Sequence, residues 1–176
     1  MRYPPEETAE KHRRILEEAA ILFRERGFSG VSVSEIMKAT GLTHGAFYNH
    51  FDSKEDLIAK SIEEASAKAL EAMQPIPQYV KTYLSTEHRD DKGRGCLIAA
   101  LGGEIAREPA AQAAFTQHVE KTLQGLAPPA TSKKGARRQA IHALSTIIGA
   151  LVLARGVSDP ELSGEILREA RLALGE

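Results

Sequence analysis

The stretch TGLTHGAFYNHFDSKEDL, residues 40 to 57, ends one apolar helical stripe, turns at a glycine and begins a new helix. Gly41 stands where a helix would leave through a left-handed backbone conformation, which glycine adopts at little cost. Thr43 can cap a short helix after the turn, and Ser53 with Asp56 can cap a longer one. If Gly41 makes the turn, the inner face of the helix pair receives apolar side chains from Ile36, Met37, Leu42, Phe47 and Phe51.

Helical periodicity extends over the rest of the 176 residues, which are 42% apolar and include no Trp. β-Branched residues do not alternate at a period of two for long, so the sequence predicts an all-α fold. The predicted helices are Thr8 to Arg26, residues 32 to 40, two turns from Thr43, Ser53 to about Met73, 77 to 86, Cys96 to Arg107, Pro109 to Leu126, about Ser132 to Arg155, and Pro160 to Leu174. Ser32 and Glu35 have the spacing of a capping box, and residues 87 to 95 and 127 to 135 have loop composition.

Charge and cysteine content restrict the possible functions. The net charge is −1, and residues 1 to 60 hold nine basic and ten acidic side chains, so a DNA-binding function must depend on local arrangement. A single cysteine, Cys96, excludes an internal disulfide and fits the cytoplasm. Acidic residues near the N-terminus predict no export signal. The 16 uncharged residues between Arg138 and Arg155 are too few for a bilayer span of about 20, and predict a buried helix with no membrane partner.

The second helix of the pair presents Thr43, His44, Gly45, Tyr48 and Asn49 outward, on an element slim enough for the major groove. Thr43 and the helix amides suit a phosphate, and His44 suits a base edge. The alternative is a three-helix cluster that only packs. The six-residue separation of His44 and His50 does not match the spacing of a shared metal site, so we expect no metal.

Residues 15 to 57 resemble the N-terminal DNA-binding domain of TetR-family transcriptional regulators. The segment GFSGVSVSEI, the pattern G-[VL]-[ST]-x-[GP]-x-[FL]-Y-x-H-F and the following K-E-x-L are all present. The resemblance implies a helix-turn-helix domain over residues 1 to 52 and a helical regulatory domain over 53 to 176. It implies phosphate contacts from Tyr48, His50 and Lys54, and from the capping residue Ser32. It also implies that Thr43, His44 and Gly45 lie at the groove, with Asn49 where many relatives carry a bulkier residue.

The resemblance also implies dimerisation through the last two helices. Apolar residues cover more than one face of the first of these helices and form a stripe on the second. The predicted interface consists of Ile141, Leu144, Ile148, Leu151, Leu162, Ile166, Leu167 and Ala170. The alternative is an ordinary core helix of a monomer.

A ligand site is predicted less directly. The stretch GRGCLIAALGGEIAR, residues 93 to 107, resembles the matching helix of multidrug-type TetR relatives, whose small residues leave room for a cavity. The polar or aromatic side chains expected to line it are Tyr79, Tyr83, Cys96, Phe115 and His118. Cys96 at a helix start is either a reactive thiol that senses oxidants or electrophiles, or a small buried apolar residue.

These features predict a homodimeric repressor in the cytoplasm that binds a palindromic double-stranded DNA operator and is released by a small-molecule inducer. We expect no cofactor and no enzymatic activity, because paired carboxylates, a nucleophile with its base and a glycine-rich phosphate loop do not appear. The alternatives are a helical small-molecule binding protein, a redox-sensing regulator acting through Cys96, and an architectural DNA-binding protein. The last would need a more basic surface.

Overall fold

A computed structural model describes residues 5 to 71, 76 to 129 and 132 to 175, and the described residues form helices and no strands. The helices are α1 (Pro5–Arg26), α2 (Val33–Ala39), a 3₁₀ helix (His44–Asn49), α3 (Lys54–Glu71), α4 (Ile76–Tyr83), α5 (Thr86–Asp90), α6 (Leu97–Ile105), α7 (Pro109–Gly125), α8 (Lys133–Gly156) and α9 (Pro160–Ala173). The all-α prediction is confirmed.

Helix ends follow the predicted chemistry at several places. Ser32 and Glu35 form the complete capping box of α2, with each side chain bonded to the other residue's backbone N–H. Asp159 caps α9 by accepting hydrogen bonds from the amides of Glu161 and Leu162. Ser132 caps α8 through the amide of Gly135.

Two elements differ from the prediction. The helix after Thr43 is a 3₁₀ helix of six residues and not two turns of α-helix. It is short and contains Gly45 and Asn49, two weak helix formers, so the tighter form suits it. Within the predicted loop 87 to 95, residues up to Asp90 belong to α5, because the Ser85 hydroxyl accepts a bond from the amide of His88. The predicted helix end near Met73 lies outside the described residues.

The first of two apolar cores joins the N-terminal helices to the rest of the molecule. It includes Phe23 of α1, Met37 of α2, Phe47 of the 3₁₀ helix and Ile58 of α3, and it continues into Leu101 of α6. Helix α3 packs against both α1 and α7. The boundary predicted at residue 52 therefore lies within a continuous core.

The second core joins α4, α7, α8 and α9, with Val80, Leu123, Ile147 and Leu167 among its buried residues. Helix α8 packs against α5, α6, α7 and α9. By length and composition alone α8 could cross a membrane, a property that it shares with core helices of proteins that do not enter membranes.

Candidate nucleic-acid interface and ligand cavity

The turn at Gly41 has the geometry that the sequence predicts. Gly41 has φ +73°, and apart from its two chain neighbours no residue has atoms within 4 Å of the position that a Cβ would take. The amide of Leu42 donates to the carbonyl of Met37 at 2.8 Å, and the amide of Gly41 donates to the carbonyl of Lys38 at 3.0 Å. This pair of bonds is a Schellman motif, which requires the left-handed conformation at Gly41.

The 3₁₀ helix buries one side and exposes the other. Phe47 is buried and stacks on Phe51, with ring centroids 5.5 Å apart. We call the opposite side the reading face. It consists of Thr43, His44, Gly45, Tyr48 and Asn49, all of them exposed. Tyr48 is 66% exposed, the most of the large apolar side chains in the described residues. The reading face is therefore available to a partner of the protein.

Two side chains of the reading face are oriented by their neighbours. His44 Nδ1 lies 2.9 Å from the hydroxyl of Ser34 on α2, so its ring is held at an exposed position. The His44 and Tyr48 rings meet edge-on with centroids 6.0 Å apart. Ser34 was not among the predicted site residues, although its place in the first turn of α2 could have suggested the contact. Thr43 precedes the 3₁₀ helix, and its hydroxyl makes no capping bond.

The other predicted DNA contacts have partners inside the protein. Lys54 Nζ donates to the carbonyl of Phe28 at 2.6 Å, so Lys54 fastens the start of α3 to the α1–α2 turn. The Ser32 hydroxyl is engaged in the capping box. His50 is half-buried with its ring 5.8 Å from that of His12, and burial, with smaller effects of His12 and Lys11, lowers its pKa.

A cavity of about 650 Å³ lies between helices α1 and α3 to α8. Of the predicted pocket residues, Tyr79, Tyr83 and His118 line it. Phe115 does not, because it packs against the first core and approaches Gly102. His118 Nδ1 lies 2.8 Å from the Ser66 hydroxyl, a bond that ties α7 to α3. The volume is in the range of small-molecule pockets.

Several polar residues that line the cavity were not predicted. They include Arg24 of α1, Lys68 of α3, His88 of α5 and Arg94 of the loop before α6. They lie far apart in the sequence and outside any motif, so only the packing of the helices brings them together. One feature of the sequence could have indicated them, because residues 87 to 95 are rich in charged and imidazole side chains.

Cys96 does not line the cavity and is 2% exposed. It caps α6 by accepting a bond from the amide of Ala99 at 3.4 Å. Burial raises the pKa of the Cys96 thiol, and a hydrogen bond from Tyr83 offsets the rise only in part. This setting favours the small buried apolar residue over the reactive thiol. Within the described residues, no three His, Cys, Asp or Glu side chains are grouped as a metal site would require.

The predicted dimer residues differ in how far the protomer itself covers them. Leu151, Leu167 and Ala170 are buried inside the protomer, and Leu144 and Ile148 line the cavity. Ile141 and Leu162 are exposed, and Ile166 is half-buried. Three further apolar residues on the same two helices are exposed, namely Val152, Leu153 and Leu172, and the predicted interface set does not include them. Sequence periodicity marks apolar faces, but it does not reveal which face the protomer itself covers.

Comparisons with known proteins agree with this geometry. Residues 15 to 60 match the family described as bacterial regulatory proteins, tetR family. The chain is 30% identical over 100 residues to the HTH-type transcriptional repressor DhaR of Mycobacterium sp. strain GP1, covering 52% of this chain and half of that protein. It is 29% identical over 166 residues to an uncharacterized HTH-type transcriptional regulator, Rv0196 of Mycobacterium tuberculosis, covering 81% and 82%.

A similar fold occurs in a solved structure. The crystal structure of a TetR-family transcriptional regulator from Agrobacterium tumefaciens superposes with a TM-score of 0.73 at 21% identity, over 94% of this chain and 98% of that one. The similarity extends beyond the helix-turn-helix to the helical C-terminal part. The match to the tetR family lies in residues 15 to 60, and the relatives matched over longer ranges are named as transcriptional regulators.

Proposed function

We propose that this protein is a TetR-family transcriptional repressor that binds a palindromic operator as a homodimer and releases it when a small molecule enters the cavity. The observation that carries the proposal is the exposed reading face on a short helix whose inner side is buried. The similarity to DhaR, which is named a repressor, supports repression over activation. The operator places this activity in the cytoplasm, and it needs no cofactor.

The reading face supports specific roles for its residues. We propose that His44, whose Nδ1 is bonded to Ser34, reads a base edge through its other ring nitrogen. Tyr48, which is exposed, is proposed to contact a phosphate through its hydroxyl and a thymine methyl through its ring. Thr43 and Asn49 add polar contacts at the two ends of the helix, and Gly45 permits close approach of the DNA.

An exposed apolar surface on α8 and α9 supports the dimer. It consists of Ile141, Val152, Leu153, Leu162 and Leu172, each more than 40% exposed. Large apolar side chains exposed on two helices that pack together are typical of an interaction surface. A second copy related by a two-fold axis would cover the same residues on both protomers. Two reading faces about 34 Å apart then match the half-sites of a palindrome.

Helix α6 supports a connection between the cavity and the reading face. Leu97 and Ile98 at its start line the cavity. Glu104 near its end accepts a hydrogen bond from the amide of Phe28 at 2.7 Å. Lys54 binds the carbonyl of the same residue. A ligand that displaces α6 would therefore shift the turn between α1 and α2. Coupling of about 1 to 3 kcal/mol would weaken operator binding about 5- to 150-fold.

Fluorescence anisotropy against a library of palindromic duplexes, with random competitor and at two salt concentrations, tests the proposal. We expect selective binding with two or more protomers per duplex. Because few cations lie near the reading face, we expect a shallow salt dependence, with about −0.9 in the slope of log K against log salt per neutralised phosphate. Failure across the library by a folded dimer would overturn the operator function and favour a small-molecule binding protein.

Tyr48→Ala is the matching variant. Because Tyr48 is exposed, its loss should leave folding and the dimer unchanged and reduce operator affinity by at least about tenfold, which corresponds to about 1.4 kcal/mol. Arg138→Ala, which changes an exposed residue of α8 away from the reading face, is the control. Parental operator affinity in Tyr48→Ala would show that another surface binds DNA.

A further inference from the structure

We propose that the cavity selects an organic anion with a flat aromatic body, and that Arg24, Arg94 and His88 hold the anionic group. This inference rests on the proposed function, because it names the chemical class of the inducer.

The first observation is a half-buried cation without a carboxylate in hydrogen-bond contact. Arg24 lines the cavity, and its Nε donates to the carbonyl of Gly93 at 2.5 Å. None of the ion pairs among the described residues includes Arg24 or Arg94. Asp91 is near enough to Arg24 for an electrostatic attraction but forms no ion pair with it. The Asp91 carboxylate accepts a hydrogen bond from the backbone amide of Arg94. A guanidinium fork with free donors suits a carboxylate or a related oxyanion.

The second observation is independent of the first. His88 Nε2 is buried and has no hydrogen-bond partner among the described residues. Buried polar atoms almost always have a hydrogen-bond partner, so an unpartnered one calls for an explanation such as a bound ligand atom. Burial, aided by the nearby Arg155, lowers the pKa of His88, so the ring is neutral near pH 7 and can donate one N–H. If the proton of the neutral ring is on Nε2, a ligand oxygen would accept a hydrogen bond from it.

The acidic residues of the cavity wall decide the sign of the ligand charge. Glu17 and Glu64 line the cavity, but both carboxylates already pair with Lys68. Glu17 also accepts a bond from Arg13 at 2.6 Å. A cationic ligand would have to break these pairs, whereas an anion meets Arg24 and Arg94, which form no ion pair with the carboxylates of the described residues. The wall therefore favours an anion.

The body of the ligand is indicated by the remaining surface. Tyr79 stacks on Tyr83 with centroids 4.5 Å apart, and Tyr83 lies 4.2 Å from the ring of His88. Arg24 binds the carbonyl of Gly93 in the loop after α5, and His88 of α5 contacts Tyr83, so the cation and the aromatic stack both lie beside α5. Apolar side chains form the rest of the wall, including Leu97 and Ile98. An aromatic ring beside this stack gains both burial and ring contacts.

Isothermal titration calorimetry of the full-length protein without DNA tests the proposal. The probes are 1-naphthoate, the neutral 1-naphthylmethanol and the cationic 1-naphthylmethylammonium, which share one ring system. We expect 1-naphthoate to bind about 10- to 100-fold more tightly than the alcohol, the range for a charge-assisted hydrogen bond, and the cation to bind more weakly than both. Equal affinities, a preference for the alcohol or the cation, or no binding of any probe would overturn the proposal.

Variants locate the anion within the cavity. Arg24→Met should remove most of the preference for 1-naphthoate and leave binding of the alcohol within about threefold. Arg26→Met, an exposed position on the same helix away from the cavity, is the matched control and should change neither. Because Arg24 also holds the Gly93 carbonyl, Arg94→Met and His88→Phe provide the same test without removing that bond. A preference unchanged in all three variants would overturn the assignment.

This outcome is separable from that of the proposed function. Operator binding is measured without any naphthalene probe, and probe binding is measured without DNA. Selective operator binding together with no preference for 1-naphthoate would reject only the ligand class. Preference for 1-naphthoate without operator binding would reject the repressor and retain the cavity.

Discussion

The two ends of the molecule are packed differently. At the reading end, Ile36, Met37, Phe47 and Phe51 are at most 2% exposed, and polar side chains lie outside them. At the cavity end, polar and aromatic groups surround a space of about 650 Å³, and His88 has a buried atom without a partner. The first end has the packing of a rigid element, and the second has room for a ligand. The contrast predicts that stability depends mainly on the first.

The largest effect should follow from Phe47→Ala. Phe47 is 1% exposed and supports the 3₁₀ helix from inside, so its removal should cost about 3 to 5 kcal/mol of the free energy of unfolding. Urea denaturation followed by circular dichroism measures this cost. Tyr48→Ala, one residue along and exposed, should change stability by less than about 0.5 kcal/mol. Similar costs for the two variants would contradict the packing described for the reading end.

The next largest loss of stability is expected from removing the hydrogen bond between Glu104 and the Phe28 amide, which joins the two ends. Glu104→Ala removes the acceptor of the Phe28 amide, a hydrogen bond to a charged group, and should cost about 1.5 to 3 kcal/mol. It should also reduce the effect of ligand on operator affinity. Glu104→Gln keeps an acceptor oxygen and is the control, with a smaller loss of both. Operator affinity is measured by anisotropy with and without ligand. If ligand weakens operator binding by Glu104→Ala as much as by the parent, another contact transmits the effect of the ligand.

A smaller effect is expected at the turn. Gly41→Ala places a side chain at φ +73° with no steric neighbour, so the cost is conformational and should be about 1 to 2 kcal/mol. Gly103→Ala, within α6 and also without a neighbour, should stabilise the protein by about 0.5 to 1 kcal/mol. The two substitutions should therefore shift the thermal midpoint in opposite directions. A shift of the same sign in both would mean that Gly41 does not need its left-handed conformation.

The smallest expected effect is on the pH dependence of stability, which should differ between histidines at the two ends. His118 is buried, and its pKa is lowered by burial first and by Lys121 second. Its folded pKa lies below the unfolded value of 6.5, so the unfolded state takes up the proton first. Its contribution to stability is therefore complete above pH 6.5 and is lost as the pH falls through the folded pKa.

Thermal denaturation between pH 7.5 and 5.5 provides the measurement. The loss of stability on acidification should be shallower in His118→Gln than in the parent. His50→Gln at the reading end should change the slope less, because the His50 ring is only half-buried. A larger change from His50 would reverse the expected order of the two ends.

The reading end could be predicted from sequence because its determinants are local. The capping box at Ser32, the left-handed turn at Gly41 and the buried Phe47 are each fixed by residues within a few positions of one another. The change from α to 3₁₀ geometry was not predicted, since it depends on a balance between weak helix formers and short length. Roles in DNA contact stay predictions for the whole reading face.

The cavity end could not be predicted in the same way. Arg24 and His88 line one cavity although 64 positions separate them in the sequence, and no periodicity connects them. The tyrosines and His118 were found because aromatic or imidazole groups in apolar helices are unusual. The dimer residues show the same limit. Leu151 and Val152 are adjacent and equally apolar, yet one is buried in the protomer and the other is 46% exposed.

The tyrosines of the two ends also make them optically distinct. The chain has four tyrosines and no tryptophan, so tyrosine alone provides its ultraviolet emission. Tyr48 lies on the reading face, Tyr79 and Tyr83 line the cavity, and Tyr3 lies outside the described residues. DNA and ligand should each quench a different fraction of this emission. With Tyr48→Phe, any remaining change would report mainly on the cavity, so one unlabelled sample could follow both binding events in a single titration.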